Sequence, residues 1–240
     1  MDQAIAQFLQ DVETQRLARL RDARLGTRVL ALKHYQQRRF ARSYADLLAT
    51  PRYADTARFF LEELYGPRDY SERDAQFARV VPTLVRLFPR DVVGTVHDLA
   101  ELHALSERLD TAMAANLGQD LVDAAAYARA WQTVGEPQAR ARQIELTLAV
   151  GRALEHYTRK PLLRQALRMM RGPAAAAGMG ELQRFLETGF DTFRAMKGAD
   201  EFLACVSERE QALAAALFAP GAPARAAGCP AGDDPLGQLP

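Results

Sequence analysis

Between Arg58 and Asp74 the chain reads Arg-Phe-Phe-Leu-Glu-Glu-Leu-Tyr-Gly-Pro-Arg-Asp-Tyr-Ser-Glu-Arg-Asp, bringing carboxylates, guanidinium groups and phenols close together. Two chemistries suit such a set. Glu62 or Glu63 could act as a general base with Arg68 as an anion clamp, because a planar two-donor fork matches an oxyanion. Alternatively, Arg58 and Glu62 form an i, i+4 ion pair, and Arg68 or Arg73 closes on Glu62, Asp69 or Asp74 across a helix corner. The candidate set, a ligand-binding or structural charge cluster, is Arg58, Phe59, Glu62, Glu63, Tyr65, Arg68, Asp69, Arg73 and Asp74. Local ion pairs shift protonation without performing chemistry, so the sequence favours the charge-locked corner and assigns no catalytic residue.

The elements that must position these groups are two consecutive helices. Tyr53, Ala57, Phe60, Leu61 and Leu64 recur at helical spacing and predict a helix ending at Tyr65. Gly66 is suited to a left-handed helix end and Pro67 cannot continue the helix. Ser71 and Asp74, three apart, resemble a capping box for the next helix. Adjacent Phe59 and Phe60 cannot both sit at the centre of one narrow face, so one is expected to meet a second neighbouring helix. No DNA binding follows from the corner.

The unbroken Phe-Phe-Leu-Glu-Glu-Leu-Tyr string, Phe59 to Tyr65, continued by Gly66, Pro67, Arg68 and Asp69, resembles a group of uncharacterised bacterial proteins named after that motif. The resemblance implies a bacterial helical protein and supplies no activity, cofactor or catalytic residue. It covers a small part of the chain.

Elsewhere the chemistry-bearing residues are sparse. His34, His97, His103 and His156 lack the Glu-x-x-His pairing of a di-iron bundle, and His97–Glu101 and His103–Glu107 read as solvated pairs along one helix. No metal site is expected. A haem needs one axial histidine and an apolar pocket, for which Tyr35, Phe40, Phe59, Phe185, Phe190 and Phe193 supply aromatic surface; at helical spacing such residues are ordinarily core. No cofactor is expected. Cys205 and Cys229 offer neither metal-ligand spacing nor a disulfide framework. No Gly-x-Ser-x-Gly elbow and no Gly-Lys-Ser/Thr phosphate loop occurs.

Composition bounds the partners. A net charge of +1 and a pI near 7.8 give no electrostatic case for nucleic acid or an acidic membrane. The 28 Arg against 3 Lys, with abundant Ala, fit a GC-rich genome better than an anion-binding specialism. The first residues carry no basic leader before an apolar run, and no stretch approaches the ~20 apolar residues of a membrane span. A cytoplasmic protein is expected.

Apolar residues recur at three- and four-residue steps from end to end, punctuated by Gly and Pro, with no alternating β-branched pattern. The prediction is an all-α fold, a single multi-helix bundle of about 8–10 helices over residues 1–219. Breaks are expected at Gly26, Pro51, Gly66-Pro67, Pro82, Pro161 and the Gly172–Gly180 joint, and Gly151 invites a close helix approach. From Ala219 onward, five of the twelve prolines and four of the fifteen glycines occur with almost no large apolar residue, so residues 220–240 are expected to form a disordered Pro/Gly/Ala-rich tail. The leading functional expectation is a non-catalytic module that binds a protein partner or self-associates. The alternatives are a carrier or sensor of a small apolar ligand or haem, and an enzyme using the Glu/Arg/Asp cluster of the corner.

Overall fold

The computed structural model describes residues 2–64, 70–87, 89–118, 121–228 and 233–240; among these no strand occurs. Helix α1 (Asp2–Arg21) is followed by α2 (Ala23–Ser43), and the break falls at Asp22 rather than Gly26. Asp22 wins because its carboxylate accepts from the amides of Arg24 (3.0 Å) and Leu25 (3.2 Å), two of the donors a helix start leaves open. Short helices α3 (Ala45–Ala49) and α4 (Ala54–Phe59) lead into a π-helical turn, Phe60–Leu64. The expected helix end at Tyr65 and the Gly66-Pro67 reversal lie outside the described residues.

Helix α5 (Ser71–Leu87) runs through Pro82 without a break, and α6 (Arg90–Ala115) is the longest element. Next come α7 (Ala124–Val134), capped by the Asp123 carboxylate on Ala126 N at 2.7 Å, and α8 (Pro137–Thr158), with its proline in the tolerated first turn. Helices α9 (Pro161–Met169), α10 (Arg171–Ala176), α11 (Gly180–Met196) and α12 (Asp200–Phe218) follow. The Gly172–Gly180 joint is thus partly helical, three of its four alanines lying in α10. Nine of these helices have nine residues or more, within the expected number.

Helix α6 is the axis of the bundle, with α1, α2, α7 and α8 packed around it. Three apolar clusters surround that axis. One joins α1, α5 and α6 through Ile5, Val81, Val93 and Ala100. A second gathers Phe40, Phe59, Phe60, Phe193 and Phe202, and a third Tyr35, Tyr127, Trp131, Leu213 and Leu217. Gly151 does bring two helices together: a Cβ there would lie 2.6 Å from Leu203 Cδ2 of α12.

Where the sequence suggested a disordered tail, the described residues carry α13 (Ala222–Ala227) and a 3-10 turn, Pro235–Gln238. Ala222, Ala226, Leu236 and Leu239 are buried in the third cluster. Composition counts apolar side chains but not where they land, and these four lie on a core built by other helices. Asp234 also ties the segment down, accepting from Arg225 (2.7 Å) and from Leu236 N (3.0 Å).

Candidate functional site

The structure distributes the motif residues over several roles. Phe59 stacks on Phe185 of α11, centroids 5.4 Å apart, over Gly189, where a Cβ would lie 3.0 Å from the ring. Phe60 turns instead to Phe193 and Phe202 (6.1 and 5.5 Å), so each phenylalanine meets a different part of the core. The widened π turn begins at Phe60, where that change of direction occurs. Arg58 pairs with Asp55 at 2.9 Å on the surface rather than with Glu62, because i−3 on its own short helix is within reach. The Glu62 side chain is exposed. Tyr65, Arg68 and Asp69 lie outside the described residues.

Two members of the set, Glu63 and Arg73, do come together. Glu63 is buried between Arg73 (3.7 Å) and Arg184 (3.5 Å), and its carbonyl accepts from Arg73 at 3.1 Å. The Arg73 guanidinium lies between the rings of Tyr70 (4.1 Å) and Phe185 (4.5 Å). Burial lowers the pKa of Arg73 from the usual guanidinium value, against the neighbouring Asp74, Tyr70 and Glu63. Asp74 does not close a capping box with Oδ2: that oxygen accepts from Arg16 (3.2 Å) and faces His103 Nε2 (3.0 Å), on α1 and α6.

Arg73 and Asp74 lead into a cleft of about 190 Å³ enclosed by α1, α2, α5, α6, α8 and α11. Its lining combines apolar side chains, with Phe77, Leu99, Leu182 and Phe185, and polar ones, with Lys33, Gln36, His103, Glu107 and Asp110. Burial works to raise the pKa of Glu107, but the Lys33 and Arg19 charges outweigh it and hold the carboxyl at about 2. Lys33 Nζ donates to Glu107 at 2.6 Å, and Arg19 bonds the same side chain and its carbonyl. Asp110, one helical turn on, accepts from Gln36 Nε2 at 2.8 Å, and burial pushes its pKa above the ordinary carboxylate value.

The expected His103–Glu107 and His97–Glu101 pairs do not form, since stronger partners stand on neighbouring helices. His103 takes Asp74, and Glu101 takes both Nε and Nη2 of Arg142, each at 2.8 Å. His97, Asp98 and Glu101 offer atoms within 4.8 Å of one another, the one such group among the described residues, yet both Glu101 oxygens are already held by that guanidinium. A haem iron at His103 Nε2 would have to displace Asp74.

Sequence reading missed Lys33, Gln36, Asp110 and Gln143 as site residues because they are spread over three helices, α2, α6 and α8, that are far apart in the chain. Each has another polar residue three positions away on its own helix, so none stood out as a lone intrusion on an apolar stripe. Residues 15–223 match the model of a family described as a domain of unknown function, DUF8198. The chain belongs to that family. Every cleft-lining residue except Leu9 falls within the DUF8198 domain, so the site is part of the shared unit. No curated protein and no solved structure matches the chain. Among the described residues no helix is long and apolar enough to cross a membrane.

Proposed function

We propose that the protein binds a small amphipathic molecule in the cleft between α1, α2, α5, α6, α8 and α11, as a carrier or sensor rather than as an enzyme. The observation that supports this is the mixed lining: apolar side chains and polar or ionisable ones together surround about 190 Å³. A dry cavity of roughly 150 Å³ accommodates one benzene ring. A molecule somewhat larger than one ring, with a polar edge, therefore suits the cleft in size and polarity. The catalytic alternative has less support, because Arg73 and Asp74 line the cleft but neither Glu62 nor Glu63, the carboxylates offered as base, does.

Native mass spectrometry of the full chain purified from its own host tests this reading alongside Ser106→Leu, which replaces a lining hydroxyl with bulk. The expected result is a retained mass on the natural chain, lost from a folded Ser106→Leu variant. If no mass is retained, and a panel of amphipathic acids and amines leaves the Tm unchanged, the reading fails.

A second reading is favoured by α9, where Leu162 and Met169, seven residues apart on one face, are 78% and 79% exposed. Self-association through that face is its simplest form. Light scattering should then show an oligomer that Leu162→Lys with Met169→Lys converts to monomer; a natural chain that is already monomeric at high concentration removes it.

A further inference from the structure

Three residues that line the cleft, Gln36, Gln143 and Thr147, also line a second cavity of about 60 Å³. Arg140 of α8 lines it and is 3% exposed. Its guanidinium carbon lies 3.9 Å from the centre of the Trp131 ring, and its Nη1 reaches Gln143 Oε1 at only 3.4 Å. Nε and Nη2 are buried and find no hydrogen-bond partner among the described residues. A buried cation with two unused donors is costly, and proteins ordinarily match it with an anion.

The chain itself shows what those two donors suit. Two residues along α8, Arg142 uses the same edge, Nε and Nη2, to hold both Glu101 oxygens at 2.8 Å. Arg140 presents that edge without such a partner. The other charges on the cavity cancel: Glu210 is bonded by Arg39 and by the Tyr44 hydroxyl (2.7 Å). Among the lining residues Arg140 is left as the surplus charge, with the Asp110 and Glu136 carboxyls acting on it from beyond the lining and neither hydrogen-bonded to it. Since one water needs on the order of 10–15 Å³, the cavity has room for roughly four atoms of that size. We propose that this cavity is a binding site for a small carboxylate, held side-on by Nε and Nη2 of Arg140 over the Trp131 ring.

Trp131 is the chain's one tryptophan, so its fluorescence reports on this site. The full chain is titrated with sodium formate and sodium acetate, sodium chloride holding ionic strength constant. A saturable change in emission is expected, with a Tm that climbs as acetate rises, as for any ligand bound only by the folded state. Arg140→Met should abolish saturation while keeping its helical circular dichroism, and Arg140→Lys should weaken it about tenfold or more because one ammonium cannot reproduce the two-donor edge. If Arg140→Met does not fold, ¹³C-acetate line broadening by the natural chain, reversed by excess formate but not by chloride, decides in its place. A response equal to that of chloride, one that persists in folded Arg140→Met, or saturation by nitrate or phosphate but by neither carboxylate overturns the proposal.

Discussion

The two ends of the polar seam along α6 and α8 treat buried charge in opposite ways. At Glu107, one carboxylate is held by Arg19 and Lys33, with its pKa kept at about 2. Near Asp110 and Arg140, a carboxyl accepts from one amide and a guanidinium rests on a ring with two donors unused. Burial is comparable, so the difference lies in pairing. A closed network such as Glu107's fixes the relative positions of α1, α2 and α6. The Arg140 end retains interaction energy that a ligand could recover, which makes it the better place to look for function.

Breaking the paired end should have the largest effect. Glu107→Ala strands Arg19 and Lys33 in a largely buried site, and removing one partner of such a network costs about 3–5 kcal/mol. Urea unfolding at pH 7 measures it; a loss under ~1 kcal/mol would mean the network is solvated and the contrast false. The pH dependence has a definite sign. Because the folded pKa lies below the ordinary value of 4.5, the Glu107 contribution is present above that value and is lost as pH falls toward about 2. The natural chain should therefore lose stability across that acid window, more steeply than Glu107→Ala.

Removing residues 220–240 attacks the unpaired end from outside. Leu236 and Leu239 are buried against the cluster holding Trp131, and full burial of a leucine is worth roughly 1.5–3 kcal/mol. Loss of about 3 kcal/mol is expected by thermal or urea unfolding, with red-shifted Trp131 emission as water gains access. An unchanged Tm would return the segment to the status of an undocked tail.

The legible parts of the fold were those set by local periodicity. The all-α class, the long helix α6 and the close approach at Gly151 follow from apolar spacing and from a glycine facing a neighbour. The Asp22 break was not read because Gly26 is the more obvious interrupter, whereas two amides capped by one carboxylate outweigh a glycine that a helix tolerates. The candidate site was harder. Glu63, Arg73 and Asp74 were visible as a charged run, but Asp74's partners are Arg16 and His103, on helices far away in sequence. Lys33, Asp110 and Arg140 become a group only when α2, α6 and α8 are packed, and no spacing rule brings them together.

The smallest effect discriminates most finely. Asp110→Asn keeps the side-chain shape and an oxygen to accept from Gln36 while removing the ionisable group. Burial raises the folded pKa of Asp110, so its contribution to stability is fully present below the ordinary carboxylate value and is lost as pH rises through the folded value. That drift is opposite in sign to the one from Glu107. Asp110→Asn should therefore be neutral or stabilising by up to about 1 kcal/mol at pH 7, the range of a well-tolerated polar replacement, and should flatten the decline on the alkaline side of the acid window. Unfolding of both chains by urea from pH 4 to 8 gives the comparison. If the asparagine variant is instead clearly less stable at pH 7, Asp110 is ionised there and serves as Arg140's counter-charge, and the two ends of the seam are paired alike.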